Sequence, residues 1–122
     1  MDRVVFIHPT HTGIADYMNA ADWVIVPSVS TPSWKEQYGR VAAEAMACGR
    51  TVVASRSGAL PDLLNGYGLL FEEGNVQGLK EILENLISGK SGGRFDETAI
   101  ADYALRNLSI QRQKALMEEA FK

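Results

Sequence analysis

Short apolar runs alternate with stretches of helical periodicity along residues 1–90 of the chain. The runs are rich in β-branched and aromatic residues, and residues typical of turns follow each of them. They predict four strands, at residues 4–7, 23–26, 51–54 and 68–71. Three of the four lack alternating polar side chains, so we expect strands that are covered on both faces, as in a parallel sheet.

Helical patterns fill the intervals between these runs. The clearest covers residues 75–88, where apolar side chains recur with the helical period and Asn75 is positioned to cap the first turn. The other predicted helices are residues 12–21, 39–48, 61–65, 96–107 and 109–121. Strands that alternate with helices are typical of an α/β domain with a parallel sheet.

Composition limits the classes of protein to which the chain can belong. Of the 122 residues, 46% are hydrophobic and 22% charged, as expected of one soluble globular domain. A net charge of −3, without a basic block, disfavours nucleic acid as a partner. No apolar run approaches the ~20 residues of a transmembrane helix, and no signal segment opens the chain. The single cysteine, Cys48, fits a reducing compartment, so we expect the cytoplasm.

Candidate chemistry lies beyond the carboxyl ends of the strands, where open α/β sheets bind their ligands. The loop after the second strand ends at Gly39, which opens a helix. Unpaired N–H groups and the helix dipole at such a terminus suit a phosphate or diphosphate. Two carboxylates, Glu36 and Glu44, bracket this terminus. Helical periodicity places Glu44 beside apolar residues, so we expect its carboxylate to meet either protein donors or a hydroxyl-rich ligand such as a sugar.

The motif EQYGRVAAEAMACG at residues 36–49 carries a family resemblance, together with PS at 27–28, VVAS at 52–55 and SGALPD at 57–62. These motifs closely resemble the donor-binding half of retaining, group 1 (family 4) glycosyltransferases of the GT-B fold. The resemblance implies a parallel Rossmann-like sheet of about four strands flanked by helices, which is an incomplete half of a GT-B C-terminal domain. On this basis we expect a partial nucleotide-sugar-binding domain over residues 1–88 and a linker over residues 89–95. Two C-terminal helices within residues 96–122 would pack on the same domain.

The resemblance also implies roles for individual residues. Glu36 would contact the sugar of the donor as the catalytic residue, and Glu44 would bind the ribose hydroxyls. The implied donor-binding residues lie at strand ends and at the helix terminus: Ser28, Tyr38, Gly39, Arg40, Glu44, Gly58 and His8. The family usually needs no metal, and it implies no cofactor besides the nucleotide-diphosphate sugar as donor substrate.

The sequence departs from the family pattern mainly by what it lacks. By comparison with that pattern, we expect these 122 residues to lack the acceptor-binding domain and the first two strands of the donor domain. An Arg and a Lys that offset the charge of the leaving diphosphate would be lacking with them. Arg56 is a candidate substitute, although a solvated loop residue is the simpler interpretation. In the strand order 3-2-1-4-5-6 the missing strands would lie between residues 4–7 and 23–26. We therefore expect either that these two strands pair directly or that two copies share a sheet as a homodimer.

Two classes of function follow from the sequence. The first is a glycosyltransferase donor-binding domain that transfers a sugar to an unknown acceptor with retention and is inactive as the isolated chain. The alternative is a non-catalytic nucleotide-binding or assembly module derived from a truncated glycosyltransferase. An NAD enzyme is disfavoured, because no G-x-G-x-x-G follows any strand. His8 and His11 are interpreted as hydrogen-bonded or exposed rather than as metal ligands, and Cys48 as a small buried residue.

Overall fold

A computed structural model describes residues 4–8, 13–33, 39–89 and 96–108 of the chain. Within these ranges, the helices and strands follow the predicted order except for the strand predicted at residues 4–7. The elements are α1 (Ile14–Ala20), β1 (Trp23–Val26), α2 (Arg40–Ala47), β2 (Thr51–Ser55), α3 (Leu60–Leu64), β3 (Leu69–Phe71), α4 (Val76–Ser88) and α5 (Glu97–Asn107). The predicted helix at residues 109–121 and most of the predicted linker lie outside the described residues, and the division of the chain into domains stays a prediction.

The three strands form one parallel sheet in the order β1-β2-β3. Val24 pairs with Val52, and Ala54 pairs with Leu70, so the carboxyl ends of all three strands meet at one edge. Every residue of β2 is buried, as the lack of polar alternation in its sequence predicts. The α/β class with a parallel sheet flanked by helices is confirmed.

The central strand divides the core into two faces, because successive side chains of a strand point to opposite sides. Val52 and Ala54 pack in one cluster with buried residues of α2, α3 and α5. Val53 packs in a second cluster with Phe71 and with Leu86 of α4. Helices therefore cover both faces of the sheet and leave the loops at its edges accessible.

The predicted strand at residues 4–7 is wrong. These residues have irregular backbone, and their side chains are exposed, from 40% at Ile7 to 89% at Phe6. A strand needs a neighbour to satisfy its backbone hydrogen bonds. The expected strand order puts two strands between residues 4–7 and β1, and neither is among the described elements. The described sheet thus has three strands instead of four, and residues 4–7 do not pair with β1.

The expectation that β1 is covered on both faces is wrong. β1 is an edge strand of the described sheet. Val26 is buried, but Ile25 is 41% exposed. Within the described residues β1 pairs only with β2, so its outer side has no adjacent strand to cover it.

The ends of the two long helices follow the capping signals in the sequence. The Asn75 side chain accepts a hydrogen bond from the backbone N–H of Gly78 at 3.0 Å, as predicted. The Asp96 carboxylate accepts from the backbone N–H groups of Thr98, at 2.8 Å, and Ala99, at 3.4 Å. Such caps satisfy N–H groups that have no partner within the helix. None of the described helices has both the length and the apolar character required to cross a bilayer.

Arg50 joins three elements at the amino edge of the sheet. Its guanidinium donates to the carbonyl oxygen of Cys48 through Nε, at 3.2 Å, and to that of Ala21 through Nη1, at 3.1 Å. Its Nη2 lies 3.3 Å from Oε2 of Glu97, at the start of α5. The Arg50 side chain is only 18% exposed, so it links the ends of α1 and α2 to α5 in a largely buried position.

Candidate functional site

The carboxyl ends of the three strands and the start of α2 meet at the edge of the sheet where ligands are expected. The loops that follow β1, β2 and β3 begin at Pro27, Arg56 and Glu72. Because β1 and β3 both flank β2, the three loops are neighbours. Hydrogen bonds between Ser30, in the loop after β1, and the other two loops join all three into one surface.

Gly39 gives α2 its starting geometry. Its backbone lies in the left-handed region, with φ 60° and ψ 40°. A β-carbon at this position would lie 3.0 Å from Cδ1 of Leu63 and 3.3 Å from Cδ2 of Leu60. Glycine is therefore favoured twice, by the conformation and by the close approach of α3. The first N–H groups of α2 have no acceptors within the helix and carry the positive end of its dipole.

Two of the implied donor-binding residues, Ser28 and Gly58, lie in these loops. The Ser55 hydroxyl, at the end of β2, donates to the carbonyl oxygen of Ser28 at 2.6 Å and fixes the start of the loop that leads to α2. Gly58 is exposed and has a left-handed φ of 52° in the turn between β2 and α3. The structure brings both residues to the carboxyl edge of the sheet.

Arg40 and Glu44 lie on α2, at its first residue and one turn later, and both side chains are exposed. Of the two alternatives expected for the Glu44 carboxylate, its exposed side chain does not fit buried protein donors, so contact with a hydroxyl-rich ligand stays a prediction. The neighbouring Val41 is 51% exposed, so this flank of α2 faces outward and only the flank of Ala42 and Ala45 is buried. Among the described residues, none forms an ion pair with Glu44.

Arg56 is held by a carboxylate at the same edge. Its Nε lies 3.1 Å from Oε1 of Glu72, and the two side chains are 52% and 71% exposed. Its backbone N–H donates to the carbonyl oxygen of Phe71 at 2.9 Å. The interpretation of Arg56 as a solvated loop residue fits this exposed ion pair.

Of the remaining implied residues, the structure describes only His8. His8 is exposed and follows residues 4–7, so the expected route to the site, through the carboxyl end of a first strand, does not exist. Glu36, Tyr38 and His11 lie outside the described residues. The roles implied for all of them stay predictions.

Sequence reasoning missed Glu73 and Ser57, which connect the three loops. The Glu73 carboxylate accepts a hydrogen bond from the backbone N–H of Ser30, and the hydroxyls of Ser30 and Ser57 lie 2.9 Å apart. Ser57 is 1% exposed. Their position in the sequence could have identified both residues, since each of them follows the carboxyl end of a strand.

A second concave surface lies at the opposite end of α2. This open groove of about 470 Å³ runs between the end of α2, at Cys48, and the start of α5, at Glu97. It is separated from Gly39 by the length of α2. Cys48 is half-buried and packs against the main core, in agreement with its interpretation as a small apolar residue.

The fold and this candidate site define an α/β domain whose helix α2 begins at the carboxyl edge of a parallel sheet. The chain belongs to the family described as glycosyl transferases group 1, which matches residues 1–89.

Similar proteins carry glycosyltransferase names. An uncharacterized glycosyltransferase of Methanocaldococcus jannaschii is 39% identical over 79 residues, which are 63% of this chain and 21% of that protein. D-inositol 3-phosphate glycosyltransferases of Mycobacterium bovis and Mycobacterium tuberculosis are 50% identical over 60 residues, which are 48% of this chain and 12% of each relative. The matched segments thus span less than a quarter of the length of these relatives.

Proposed function

We propose that the chain is part of the donor-binding domain of a retaining, family 4 glycosyltransferase of the GT-B fold. It would bind a nucleotide-diphosphate sugar whose glycosyl group is transferred to an acceptor. The observation that carries this proposal is the left-handed Gly39, which starts α2 at the carboxyl edge of the sheet, beside the strand-end loops. A helix terminus at this position offers N–H groups and a positive dipole to a diphosphate.

The spacing along α2 supports the proposed roles of Arg40 and Glu44. Residues four apart lie on neighbouring positions of one helix face, about 6 Å apart along the axis. A diphosphate at the backbone of Tyr38, Gly39 and Arg40 would then place the adjoining ribose near Glu44. The exposed Glu44 carboxylate can accept hydrogen bonds from two ribose hydroxyls.

The remaining contacts complete the proposed donor site. Ser28, Gly58 and His8 would contact the rest of the donor, and Glu36 would hydrogen-bond its sugar. No metal and no cofactor enter the proposal. Transfer leaves negative charge on the departing diphosphate, and donors aimed at that charge are worth several kcal/mol. Because Arg56 is paired with Glu72, we propose that the isolated chain binds the donor but turns it over slowly if at all.

Calorimetric titration with UDP, GDP and ADP, and with their sugars, tests the donor site. We expect one nucleotide to bind at millimolar concentration or below, and Glu44→Ala to weaken it by about tenfold, the scale of a charged hydrogen bond. Glu84→Ala is the matched control, because Glu84 is an exposed helical carboxylate on α4. Binding that Glu44→Ala leaves unchanged would exclude our assignment of the ribose site.

The alternative is a non-catalytic nucleotide-binding or assembly module derived from a truncated glycosyltransferase. The Arg56–Glu72 ion pair favours it, because it occupies a cation that a leaving diphosphate would need. Failure of every nucleotide and nucleotide sugar to bind at millimolar concentration would leave the assembly function alone. Binding with measurable hydrolysis of the sugar donor would favour the enzyme.

We also propose that two copies associate through the sheet in the cytoplasm. The support is the uncovered side of β1 together with the exposed, β-prone residues 4–7. Light scattering coupled to size exclusion should give twice the chain mass, and Phe6→Lys should shift it to the monomer mass. A monomer at all concentrations would exclude the dimer, and fractionation of the source cells tests the compartment.

A further inference from the structure

Glu73 connects the end of β3 to the loop after β1, across the top of the central strand. Its carboxylate accepts a hydrogen bond from the backbone N–H of Ser30, which lies 43 residues earlier in the sequence. Both residues are half-buried. A carboxylate that accepts from a backbone N–H makes a charge-assisted hydrogen bond, which is about twice as strong as a neutral one.

Ser57, in the loop after β2, also contacts Ser30. The hydroxyls of Ser30 and Ser57 lie 2.9 Å apart. The backbone of Ser57 is itself fixed, because its N–H donates to the carbonyl oxygen of Ser55 at 2.8 Å and its carbonyl oxygen accepts from Leu60 at 3.1 Å. Ser30 is therefore held at its backbone by the β3 loop and at its side chain by the β2 loop.

The adjacent Glu72 provides an internal comparison. It carries the same charge at the same edge, but its side chain is 71% exposed and pairs with the exposed Arg56. Exposed ion pairs contribute little, because solvent screens the charges. Among the described residues, the Glu72 carboxylate pairs with Arg56 in the loop after β2, whereas the Glu73 carboxylate binds the backbone of the loop after β1.

We propose that Glu73 is a positioning residue for donor binding, acting through Ser30 on the loop between β1 and α2. The inference rests on the proposed function, because this loop ends at Gly39 and carries the expected donor contacts. Ser28 and Ser30 fix the start of the loop, and α2 fixes its end. A segment such as residues 28–30 that is held before the ligand arrives loses less conformational entropy on binding, so the affinity for the donor is higher.

Three variants of the full chain test the role of Glu73. Glu73→Ala removes the acceptor and should weaken binding of the nucleotide sugar by about tenfold, the scale of one hydrogen bond to a charged group. Glu73→Gln keeps an acceptor oxygen and should restore most of the affinity. Glu72→Ala removes the neighbouring charge but frees Arg56 from its ion pair, so it should not weaken the affinity. Hydrogen exchange of the Ser30 amide, measured without ligand, should accelerate in Glu73→Ala only.

The outcomes separate this inference from the proposed function. If the wild-type chain binds a donor and Glu73→Ala binds it equally well, the positioning role alone is overturned. Equal weakening by Glu72→Ala and Glu73→Ala would also overturn it, because charge and not the contact with Ser30 would then matter. If the wild-type chain binds no donor, the proposed function fails and the inference fails with it. Should Glu73→Ala unfold, Ser57→Ala decides in its place, since it removes only the hydroxyl partner of Ser30.

Discussion

The phenol of Tyr103 donates a hydrogen bond to the carbonyl oxygen of Leu63 at 2.9 Å, across 40 residues of sequence. The Tyr103 ring also stacks on Tyr67, with ring centroids 4.5 Å apart and planes inclined by 9°. These contacts join α5 to α3, on the face of the sheet that includes α2. Burial raises the pKa of Tyr103 above its ordinary value of 10.0, and Tyr67 raises it further, while the Asn65 side chain acts in the opposite direction.

A raised pKa means that the folded state favours the neutral phenol of Tyr103. The stability that the neutral Tyr103 phenol contributes is complete below pH 10.0. It is lost as the pH rises through the pKa of Tyr103 in the folded state. We expect the wild-type chain to lose stability at alkaline pH more steeply than Tyr103→Phe, in denaturant unfolding at a series of pH values. Tyr17→Phe, at an exposed tyrosine, is the control and should behave as wild type. Parallel curves for wild type and Tyr103→Phe would contradict this role.

Replacing Gly39 tests the crowding at the start of α2. Gly39→Ala places a non-glycine residue in the left-handed region, which costs about 1–2 kcal/mol, and its β-carbon would press on Leu63. Gly74 has a similar φ of 79° but nothing within 4 Å of the same position, so Gly74→Ala should lose only the conformational part. Urea midpoints for the two variants give the comparison. Equal losses would show that α3 yields to the added methyl group without cost.

Among the arginines of the described residues, Arg50 should be the one whose removal most destabilises the fold, because its side chain is only 18% exposed. Arg50→Ala leaves the carbonyl oxygen of Ala21 without its guanidinium partner and should cost about 1–3 kcal/mol in unfolding free energy. Arg106→Ala removes an i,i+4 ion pair in which the arginine is 75% exposed, and should cost under about 0.5 kcal/mol. Arg50→Lys keeps the charge but loses the planar guanidinium that reaches several acceptors at once, so its unfolding free energy should resemble that of Arg50→Ala. A Lys variant as stable as wild type would show that charge alone matters.

The cap of α4, which the sequence predicts, can be tested by its effect on stability. Asn75→Ala removes the acceptor for the Gly78 N–H and should cost about 0.5–2 kcal/mol. Asn85→Ala lies within the same helix and should be neutral or slightly stabilising, because alanine is the better helix former. Thermal unfolding followed by circular dichroism measures both. Destabilisation by Asn85→Ala alone would reverse the assignment of the cap.

Local signals in the sequence predicted the helices well. Asn75 and Asp96 mark the starts of α4 and α5, and the burial of β2 follows from its continuous apolar run. Residues 4–7 were mispredicted because a strand depends on a neighbour that composition cannot supply. Periodicity groups Glu44 with Val41 and Ala45 on one face of α2 without saying which flank packs, so both alternatives for the Glu44 carboxylate stayed open. The contacts of Arg50, Glu73 and Tyr103 join residues 29 to 47 positions apart, and no local pattern encodes such pairs.

Residues 4–7 have a further consequence for the solubility that we expect of the chain. Four exposed apolar residues with high β propensity resemble the short, uncharged, β-prone segments that promote aggregation. We expect the yield of soluble protein to depend on temperature and concentration, although the core around β2 is well packed. The practical consequence is that the solubility of the chain is limited by a segment that lies outside its hydrophobic core.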